Sequence, residues 1–484
     1  MTTIKLDPGA ALLLDALHGA GHAAYAVGGC VRDSLLGLDP HDWDLCTSAR
    51  PEQVMALFGE EKCIPTGLQH GTVTVKQGGR LYETTTFRTE GAYSDGRHPD
   101  AVCFVPDVRE DLARRDFTIN AMAYSAEEGL IDPFGGRDDL AAHLVRAVGE
   151  PERRFEEDAL RILRLYRFAA RFGFAIDPAT GAAARALGPH LDCVSAERIQ
   201  EELLKLLAAP RPGSYLEPAV LAVVLPELEP EKQPEQFAEL CRTIDRIEPT
   251  AENVPARLAA LLCPLGEAGA RKALRKLKCS NALTDEVTAL EREAGGGAGS
   301  FLLGHEFELR HPADALCLER HSHPAGRCPN SNSLFPPQAA VVAVAGHSIA
   351  RPIACGNRVP PQRTVLGEAP GTPNTTLTVQ AKRLLGRYEL PTIQRLTALC
   401  SARHPEQAGA FAALRAEAEQ LTAENACCRV SQLAVNGRDL MAAGVRPGPG
   451  LRQVLNALLE AVITGQTPNE KDALLAATAQ FSAS

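Results

Sequence analysis

Residues 28–46 read GGCVRDSLLGLDPHDWDLC, and this stretch decides the fold of the chain. It begins with two glycines, and a glycine turn that opens onto a short helix leaves backbone N–H groups for phosphate oxygens. It ends with the triplet Asp-Trp-Asp at 42–44, whose two aspartates at i and i+2 lie on one face of a predicted strand. Carboxylates this close repel unless a cation lies between them, and such hard oxygen ligands suit Mg²⁺. Together, the two halves predict phosphoryl or nucleotidyl transfer.

Length and composition set the class of protein around this stretch. A chain of 484 residues is too long for one core, so we expect three or four domains. With 45% hydrophobic and 23% charged residues, the composition is typical of a soluble globular protein. The sequence has neither a secretory signal nor an apolar run of about 18 residues, so we expect no membrane span. The 14 cysteines lack regular spacing, which indicates reduced thiols in the cytoplasm.

The charge is distributed unevenly along the chain. A net charge of −10 argues weakly against a nucleic-acid partner. However, residues 271–278 form a dense basic patch, and six arginines fall between residues 153 and 171. Because an acidic protein can hold a polyanion on a local positive surface, nucleic acid stays a candidate partner.

The hydrophobic pattern changes near residue 150. Before it, short apolar runs predict strands at 23–27, 42–46, 71–75 and 81–88 and helices at 31–36 and 51–58. After it, three- and four-residue spacing predicts one or two helices at 152–172, a helix capped by Ser195, and helices at 378–388, 410–425 and 451–464. The fold class predicted is therefore α+β, with a small mixed head followed by all-α domains.

The stretch 295–375 breaks this helical pattern. It is rich in histidine, proline, asparagine and serine. Its residues Cys317, His321, His323 and Cys328 could be drawn as a zinc site, but their spacing matches no common zinc module. We interpret the stretch as a disordered insertion or as sequence translated out of frame.

Two further motifs of the head carry candidate chemistry. Glu83, in a β-rich run, could complete a metal site from a neighbouring strand, or it could be a solvent-facing strand residue. Arg114 and Arg115, followed by Asp116 and Asn120, could bind a ribose and a triphosphate. Taken alone, that second motif would more often be a surface salt-bridge cluster.

A stripe of charge follows on the helix predicted at 156–168. Asp158, Arg161, Arg164 and Arg167 recur every three residues and share a face. Three arginines on one face repel, so either a bound anion neutralises them or the face is solvated and balanced by nearby glutamates; both interpretations stay open. An aspartate and an arginine one turn apart offer an acceptor and a forked donor that can meet the edge of a base.

These motifs, taken in order, resemble the bacterial CCA-adding enzymes (tRNA nucleotidyltransferases), a class that includes bacterial poly(A) polymerases. The matching segments are 28–33, 42–44, 83–88, 114–120, 132–136, 157–167, 195–205, 433–439 and 469–471. The resemblance implies a nucleotidyltransferase head of the DNA polymerase beta type at 1–148. It also implies an all-α neck at 149–212, a body at 213–425 with the irregular insertion, and a tail at 426–484.

Site residues follow from the resemblance. It implies that Asp42, Asp44 and Glu83 are catalytic and that Asp42 and Asp44 bind Mg²⁺. It implies a nucleotide site made of Gly28, Gly29, Arg32, Arg115, Asn120, Asp158, Arg161, Arg164 and Arg167. Within that site, Asp158 and Arg161 would read the base of CTP or ATP, and residues 89–100 would form a mobile loop that switches from C to A addition.

The implied reaction is attack by the tRNA 3′-hydroxyl on the α-phosphorus of the nucleotide, with pyrophosphate leaving. The basic residues 271–278 and the tail would hold the acceptor arm of the tRNA, and no protein partner is implied. A poly(A) polymerase is the nearest alternative, although the tail motif around Asn436 favours tRNA. An enzyme that adds only CC or only A and a catalytically impaired RNA-binding relative also stay open. A phosphohydrolase is disfavoured, because His41-Asp42 is the one adjacent His-Asp pair in the sequence.

Overall fold

The computed structural model describes residues 3–90, 102–295 and 376–481. The chain divides into two compact units, the first made of Met1–Gly304 and Thr376–Cys428 and the second of His305–Thr375 and Arg429–Ser484. The predicted insertion, from residue 296 to its end and with its candidate zinc ligands, lies outside the described residues. So does most of the loop predicted at 89–100.

A mixed β-sheet forms the head at the start of the first unit. Its strands in chain order are β1 (Ala24–Val27), β2 (Leu45–Thr47), β3 (Cys63–Gly67), β4 (Thr72–Gln77), β5 (Arg80–Thr86), β6 (Arg88–Glu90), β7 (Val102–Phe104), β8 (Ala123–Ser125) and β9 (Gly129–Ile131). The large sheet has the spatial order β3-β4-β5-β2-β1-β8-β9, and β6 pairs with β7 separately. The head helices are α1 (Pro8–Gly19), α2 (Gly29–Leu35), α3 (Pro51–Phe58), α4 (Val108–Ala113) and α5 (Gly136–Ala141).

The pairing of β2 with β5 positions the polar residues of the head. These two strands run parallel, with Leu45 opposite Thr84 and Thr47 opposite Thr86, whereas the other neighbours in the large sheet are antiparallel. The core beneath includes Tyr25, Val27, Cys46, Phe87 and Leu112. Asp44 directly precedes Leu45, and Glu83 directly precedes Thr84. The parallel pairing therefore holds Asp44 and Glu83 beside each other.

Beyond the head, the described chain is almost entirely helical. The helices of the first unit are α6 (Pro151–Glu157), α7 (Leu160–Phe172), α8 (Pro178–Ala186), α9 (Ala196–Leu207), α10 (Pro218–Val224), α11 (Pro234–Arg246), α12 (Val254–Leu262), α13 (Gly266–Lys276), α14 (Asn281–Ala294), α15 (Thr376–Arg387), α16 (Leu390–Arg403) and α17 (Ala408–Ala423). Two short strands, β10 (Leu144–Val145) and β11 (Ala175–Ile176), pair in parallel at the start of this region. The predicted fold class, an α+β head followed by all-α domains, is confirmed. The domain bounds stay predictions.

Several predicted elements differ from the structure at their ends. The helix predicted at 51–58 is confirmed. The region predicted as one or two helices at 152–172 forms two, because Asp158 has extended backbone angles and its carboxylate accepts from the Leu160 amide. The strand predicted at 42–46 is wrong at its start, because β2 begins only at Leu45 and reaches Thr47. Ser195 holds the N-cap position of α9, but its side chain makes no capping hydrogen bond in the described part of the chain.

A buried arginine joins helix ends in the first unit. Arg257 of α12 is 0% exposed, and its guanidinium donates to three backbone carbonyls instead of a carboxylate. Nη1 donates to Leu207 at 2.7 Å and Ala209 at 2.5 Å, and Nε donates to Ile247 at 3.1 Å. Carbonyls at helix C-termini have no partner within their own helix. Arg257 therefore ties the ends of α9 and α11 to α12.

The second unit contains α18 (Gly437–Ala442), α19 (Pro449–Ile463) and α20 (Lys471–Phe481). Asn436, from the predicted tail motif, caps α18 by accepting from the amides of Arg438 and Asp439. The Asp439 carboxylate accepts in return from the Asn436 amide at 2.9 Å and from Lys471 at 2.6 Å. The motif thus has a local structural role. Across the described residues of both units, no helix is long and apolar enough to cross a membrane.

Candidate active site

The triplet Asp-Trp-Asp at 42–44 alternates between exposed and buried positions. Trp43 is 5% exposed and Leu45 is 1% exposed, whereas Asp42 and Asp44 are exposed. The Asp44 carbonyl accepts from the Val27 amide at 3.0 Å, so the segment follows β1 before the ladder of β2 begins. The two aspartates share the exposed face, as the sequence predicted, and the apolar residues between them anchor that face to the core.

Glu83 reaches the same face from the neighbouring strand. It precedes Thr84 as Asp44 precedes Leu45, and Thr84 pairs with Leu45 in the parallel ladder. Desolvation, together with the charges of Glu83 and Asp42, raises the pKa of Asp44 to about 6, although Arg115 opposes the shift. Desolvation is the main cause of this rise, and the negative charges of Glu83 and Asp42 add to it.

The chemistry of these donors fits a divalent cation. Within the described residues, no group of three or more His, Cys, Asp or Glu side chains is already gathered closely enough to hold a metal. Asp42, Asp44 and Glu83 nevertheless supply hard oxygens, and a cation between them would offset both the desolvation of Asp44 and the negative charges of its two neighbours. The assignment of Asp42 and Asp44 as metal ligands stays a prediction.

The glycine turn lies directly beside this carboxylate group. Gly28 has φ of 77°, and a Cβ at this position would come within 2.8 Å of the Arg115 guanidinium, so only glycine fits. Its amide donates to the Met122 carbonyl, which leaves that N–H unavailable for phosphate. The first helical bond of α2 runs from the Arg32 amide to the Gly28 carbonyl. The amides of residues 29–31 therefore precede the helical ladder and are the ones that an anion could reach.

A buried aspartate that sequence reasoning missed holds the two adjacent arginines. Asp111 of α4 is 0% exposed and accepts from Arg114 Nη2 at 2.9 Å and Arg115 Nη2 at 3.5 Å. Burial alone would raise the pKa of Asp111, but the two arginines hold it below its usual value. Arg115 also opposes the rise in the pKa of Asp44. It therefore lies between Asp111, the Gly28 turn and the carboxylate group.

Arg32 lies beneath the glycine turn, where it is only 3% exposed. Its Nη2 and Nε bond to Asp33 Oδ1 at 2.7 and 2.8 Å, and Nη1 donates to Asn120 Oδ1 at 2.5 Å. Asn120 in turn donates to Asp116 Oδ1 at 3.0 Å. The predicted nucleotide residues Arg32 and Asn120 therefore belong to one buried hydrogen-bond network.

The arginine stripe of α7 is neutralised by carboxylates of the chain itself. Arg161 pairs with Glu157 at 2.8 Å and also donates to the Arg114 carbonyl at 3.0 Å. Arg164 pairs with Asp116 at 2.6 Å, and Arg167 pairs with Glu202 at 2.5 Å. Of the two interpretations left open, a bound anion is therefore not required. The second interpretation is right that a nearby glutamate, Glu157, balances Arg161, but it is wrong about solvation, since the side chains of Arg161 and Arg167 are only 11% and 13% exposed.

Two partners of the stripe come from α9 and were not recognised in the sequence. Asp158 Oδ2 accepts from Arg198 at 2.7 Å, and Glu202 is the carboxylate that meets Arg167. A signal for Glu202 was present, because it shares the apolar face of α9 with Ile199 and Leu203 and is 5% exposed. A charged residue on a buried helix face requires a partner.

The predicted site residues fall into two groups. Asp42, Asp44 and Glu83 lie on the exposed face of the sheet, and the charge of Arg115, whose guanidinium lies beside Gly28, acts on Asp44. The second group centres on Asp116, which joins Asn120 and Arg32 of the head to Arg164 of α7. The arrangement places exposed acidic groups beside a turn and a cluster of arginines, as phosphoryl chemistry requires.

Family comparisons agree with this geometry. Residues 24–146 match the family described as the Poly A polymerase head domain. Residues 173–231 match the family described as "Probable RNA and SrmB-binding site of polymerase A", and residues 388–478 match the family described as "tRNA nucleotidyltransferase domain 2 putative".

Individual relatives and solved structures are similar to this chain over different shares of its length. A CCA-adding enzyme of Leuconostoc citreum is 45% identical over 257 residues, which is 53% of this chain but only 63% of that protein. A CCA-adding enzyme of Lactiplantibacillus plantarum is 33% identical over 466 residues, which is 96% of this chain and 93% of that protein. The crystal structure of the Bacillus stearothermophilus CCA-adding enzyme in complex with CTP is 29% identical, covers 98% of both chains and superposes with a TM-score of 0.69.

Proposed function

Since this chain belongs to the family of CCA-adding enzymes, we propose that it adds C, C and A in turn to the 3′ end of tRNA. It uses CTP and ATP without a template and releases pyrophosphate. The observation that carries the proposal is the position of Asp44 directly before β2, where the parallel pairing of Leu45 with Thr84 brings it beside Glu83 of β5, with Asp42 and the Gly28 turn nearby. Three acidic groups and a glycine turn at one place match the needs of nucleotidyl transfer.

A divalent metal is general in this family, and we propose Mg²⁺ for this chain. Asp42 and Asp44 would hold it, with Glu83 as the third carboxylate. When bound, the ion neutralises phosphate charge and acidifies the attacking hydroxyl. Arg115 reaches both the turn and Asp44, so its guanidinium is placed to orient the triphosphate between them.

Asp158 and Arg161 are the proposed base-reading pair. Cytosine and adenine both present an exocyclic amino group as a donor, and the Asp158 carboxylate can accept from it. Arg161 Nη1 donates to Glu157 and the Arg154 carbonyl and Nη2 donates to the Arg114 carbonyl, so the second N–H of Nη2 is the donor that can meet a ring nitrogen. Arg164 and Arg167 support the nucleotide site from the same helix.

The choice of tRNA over a growing poly(A) tail is supported by the match to tRNA nucleotidyltransferase domain 2 at 388–478. Lys272, Arg275 and Lys276 of α13 are exposed and form no ion pair within the described residues. They are suited to phosphate contacts that recognise shape rather than sequence. We also propose a cytoplasmic location, since cysteines such as Cys30, Cys46 and Cys400 are free thiols.

The experiment that tests this function uses the purified full chain with Mg²⁺, labelled CTP, labelled ATP and tRNA that lacks its 3′ end. We expect the product to lengthen by C, C and A in that order and then stop. Growth by C alone or A alone identifies a partial enzyme, and a long A tract identifies a poly(A) polymerase. No incorporation on any RNA, together with retained tRNA binding, would identify a non-catalytic relative.

A further inference from the structure

Two phenylalanines of α7 lie against the guanidinium of Arg32, which comes from the head. The central carbon of that guanidinium lies 5.2 Å from the centre of the Phe168 ring and 4.8 Å from that of Phe172. The two rings are nearly parallel, with centres 6.3 Å apart and an angle of 2° between their planes. Both distances are within the range of cation–π attraction.

Phe168 also meets the other arginines of the proposed nucleotide site. The guanidinium carbon of Arg167 lies 4.1 Å from its ring centre, and that of Arg164 lies 5.4 Å away. Its ring packs edge-to-face on Phe117 of the head, with centres 5.8 Å apart. The Phe168 ring is 4% exposed. It therefore contacts three guanidinium groups, one from the head and two from α7.

The ring and the hydrogen bonds of Arg32 constrain different degrees of freedom. Asp33 and Asn120 bind N–H groups in the guanidinium plane, so they fix the direction in which the remaining donors point. An aromatic face restrains the tilt of that plane instead. Because burial removes competing water, the ring contact is stronger here than at an exposed site.

We propose that Phe168 is a positioning residue that, with Phe172, orients Arg32 for the triphosphate of the incoming nucleotide. The ring thereby couples α7, which carries Arg161 of the proposed base-reading pair, to the phosphate side of the site. This inference rests on the proposed function, since it assigns Arg32 to triphosphate binding.

The test compares Phe168→Leu with the wild type in steady-state addition of CTP and ATP. Leucine keeps an apolar side chain but removes the ring face. We expect KM for both nucleotides to rise roughly tenfold while kcat stays within about twofold, because ground-state and transition-state binding weaken equally. A merely structural loss lowers the folded fraction and therefore kcat, and leaves KM unchanged.

Phe174→Leu is the matched control. Phe174 is also buried and packs on Phe172 and His143, but no arginine lies over its ring among the described residues. We expect its KM values to equal those of the wild type. Equal KM for Phe168→Leu and the wild type, or equal KM changes in the two variants, would overturn the proposal.

A second measurement keeps the test decisive if Phe168→Leu does not fold. Difluoro- and trifluorophenylalanine at position 168 keep the shape of the ring while weakening the negative face that attracts a cation. We expect KM for CTP to increase stepwise with fluorination at 168 and to stay constant with fluorination at 174. A flat series at 168 in a protein that adds nucleotides refutes the positioning role alone, whereas a wild type that adds none refutes the proposed function.

Discussion

Arg164 donates two hydrogen bonds to a single oxygen of Asp116, from Nε at 2.9 Å and from Nη2 at 2.6 Å, although 48 residues separate them. Asp116 belongs to the head and Arg164 to α7, so the pair fixes α7 against the head. Burial alone would raise the pKa of Asp116, but Arg164 and Asn120 hold it well below its usual range. The carboxylate therefore stays ionised at neutral pH.

Asp116→Asn is expected to destabilise the first unit strongly. The substitution keeps the shape of the side chain but removes the carboxylate closest to Arg164, whose side chain is 33% exposed and lies 4.0 Å from Glu202, so the loss is about 1–3 kcal/mol. The free energy of unfolding in urea measures the loss. Glu229→Gln is the control, since its pair with Lys232 is exposed and contributes little. Similar losses in the two variants would contradict the role of Asp116.

Asp44→Asn is expected to abolish nucleotide addition and to leave tRNA binding largely intact. The amide keeps the volume of the carboxylate but removes the charge that the proposed metal requires. Incorporation of labelled CTP and tRNA gel shifts measure the two properties separately, and Asp39→Asn provides an exposed aspartate of the head as control. Chelation of divalent ions should also stop addition by the wild type, and added Mg²⁺ should restore it. Equal loss of tRNA binding would argue against the metal role.

Arg161→Ala is expected to weaken discrimination between CTP and UTP by roughly tenfold or more, since one base-reading donor is lost. The ratio of kcat/KM values for the two nucleotides measures it. Arg153→Ala is the matched control, because Arg153 contacts the same Glu157 at 3.4 Å but its side chain is 75% exposed. Unchanged selectivity in Arg161→Ala would remove its assignment as a base reader.

Glu291 is expected to make stability depend on pH. Burial raises the pKa of Glu291 from 4.5 to about 7, with Arg403 opposing the shift, and the residue is 4% exposed. Its folded pKa exceeds its unfolded pKa, so its contribution is complete below pH 4.5 and is lost as the pH rises through about 7. Glu291→Gln should therefore gain up to roughly 3 kcal/mol relative to the wild type at pH 8, compared with pH 4.5. Urea unfolding at several pH values checks this, with the exposed Glu231→Gln as control; parallel pH profiles of Glu291→Gln and the wild type would exclude it.

Arg257→Lys is expected to lower the free energy of unfolding by about 3 kcal/mol or more. A lysine ammonium cannot bond at once to the carbonyls of Leu207, Ala209 and Ile247, so helix ends are left with buried unpaired acceptors. Thermal and urea unfolding measure the change. Arg242→Lys, at a position where the side chain is 59% exposed, should change stability little. A stable Arg257→Lys protein would show that the carbonyls find other partners.

The sequence predicted the exposed face of Asp42 and Asp44 because Trp43 alternates with them, and this pattern depends only on residues next to each other. It placed the start of β2 wrongly, since the ladder depends on where β5 pairs, a long-range property. Likewise, the three-residue repeat on α7 revealed its arginines but not their partners. Asp116 and Glu202 come from other elements, and only tertiary packing brings them to Arg164 and Arg167.

Other residues gave no local signal at all. Asp111 follows a charged run and reads as a surface residue, yet it is fully buried beneath Arg114 and Arg115. Arg198 lies in the first turn of α9, and nothing in the neighbouring sequence indicates that it pairs with Asp158. The domain bounds and the roles of the site residues stay predictions, because the family motifs name positions without showing how each position is used.

The side-by-side alignment of Leu45 and Thr84 constrains how the gene can change in length. Removing one codon of β5 after Glu83 would shift the glutamate by one position along the strand, and alternation would turn its side chain toward the core. Loss or gain of two codons would preserve its direction but move it away from Asp44. Relatives should therefore vary in length in the connections between strands, while the stretch that ends in these acidic positions keeps a fixed number of residues.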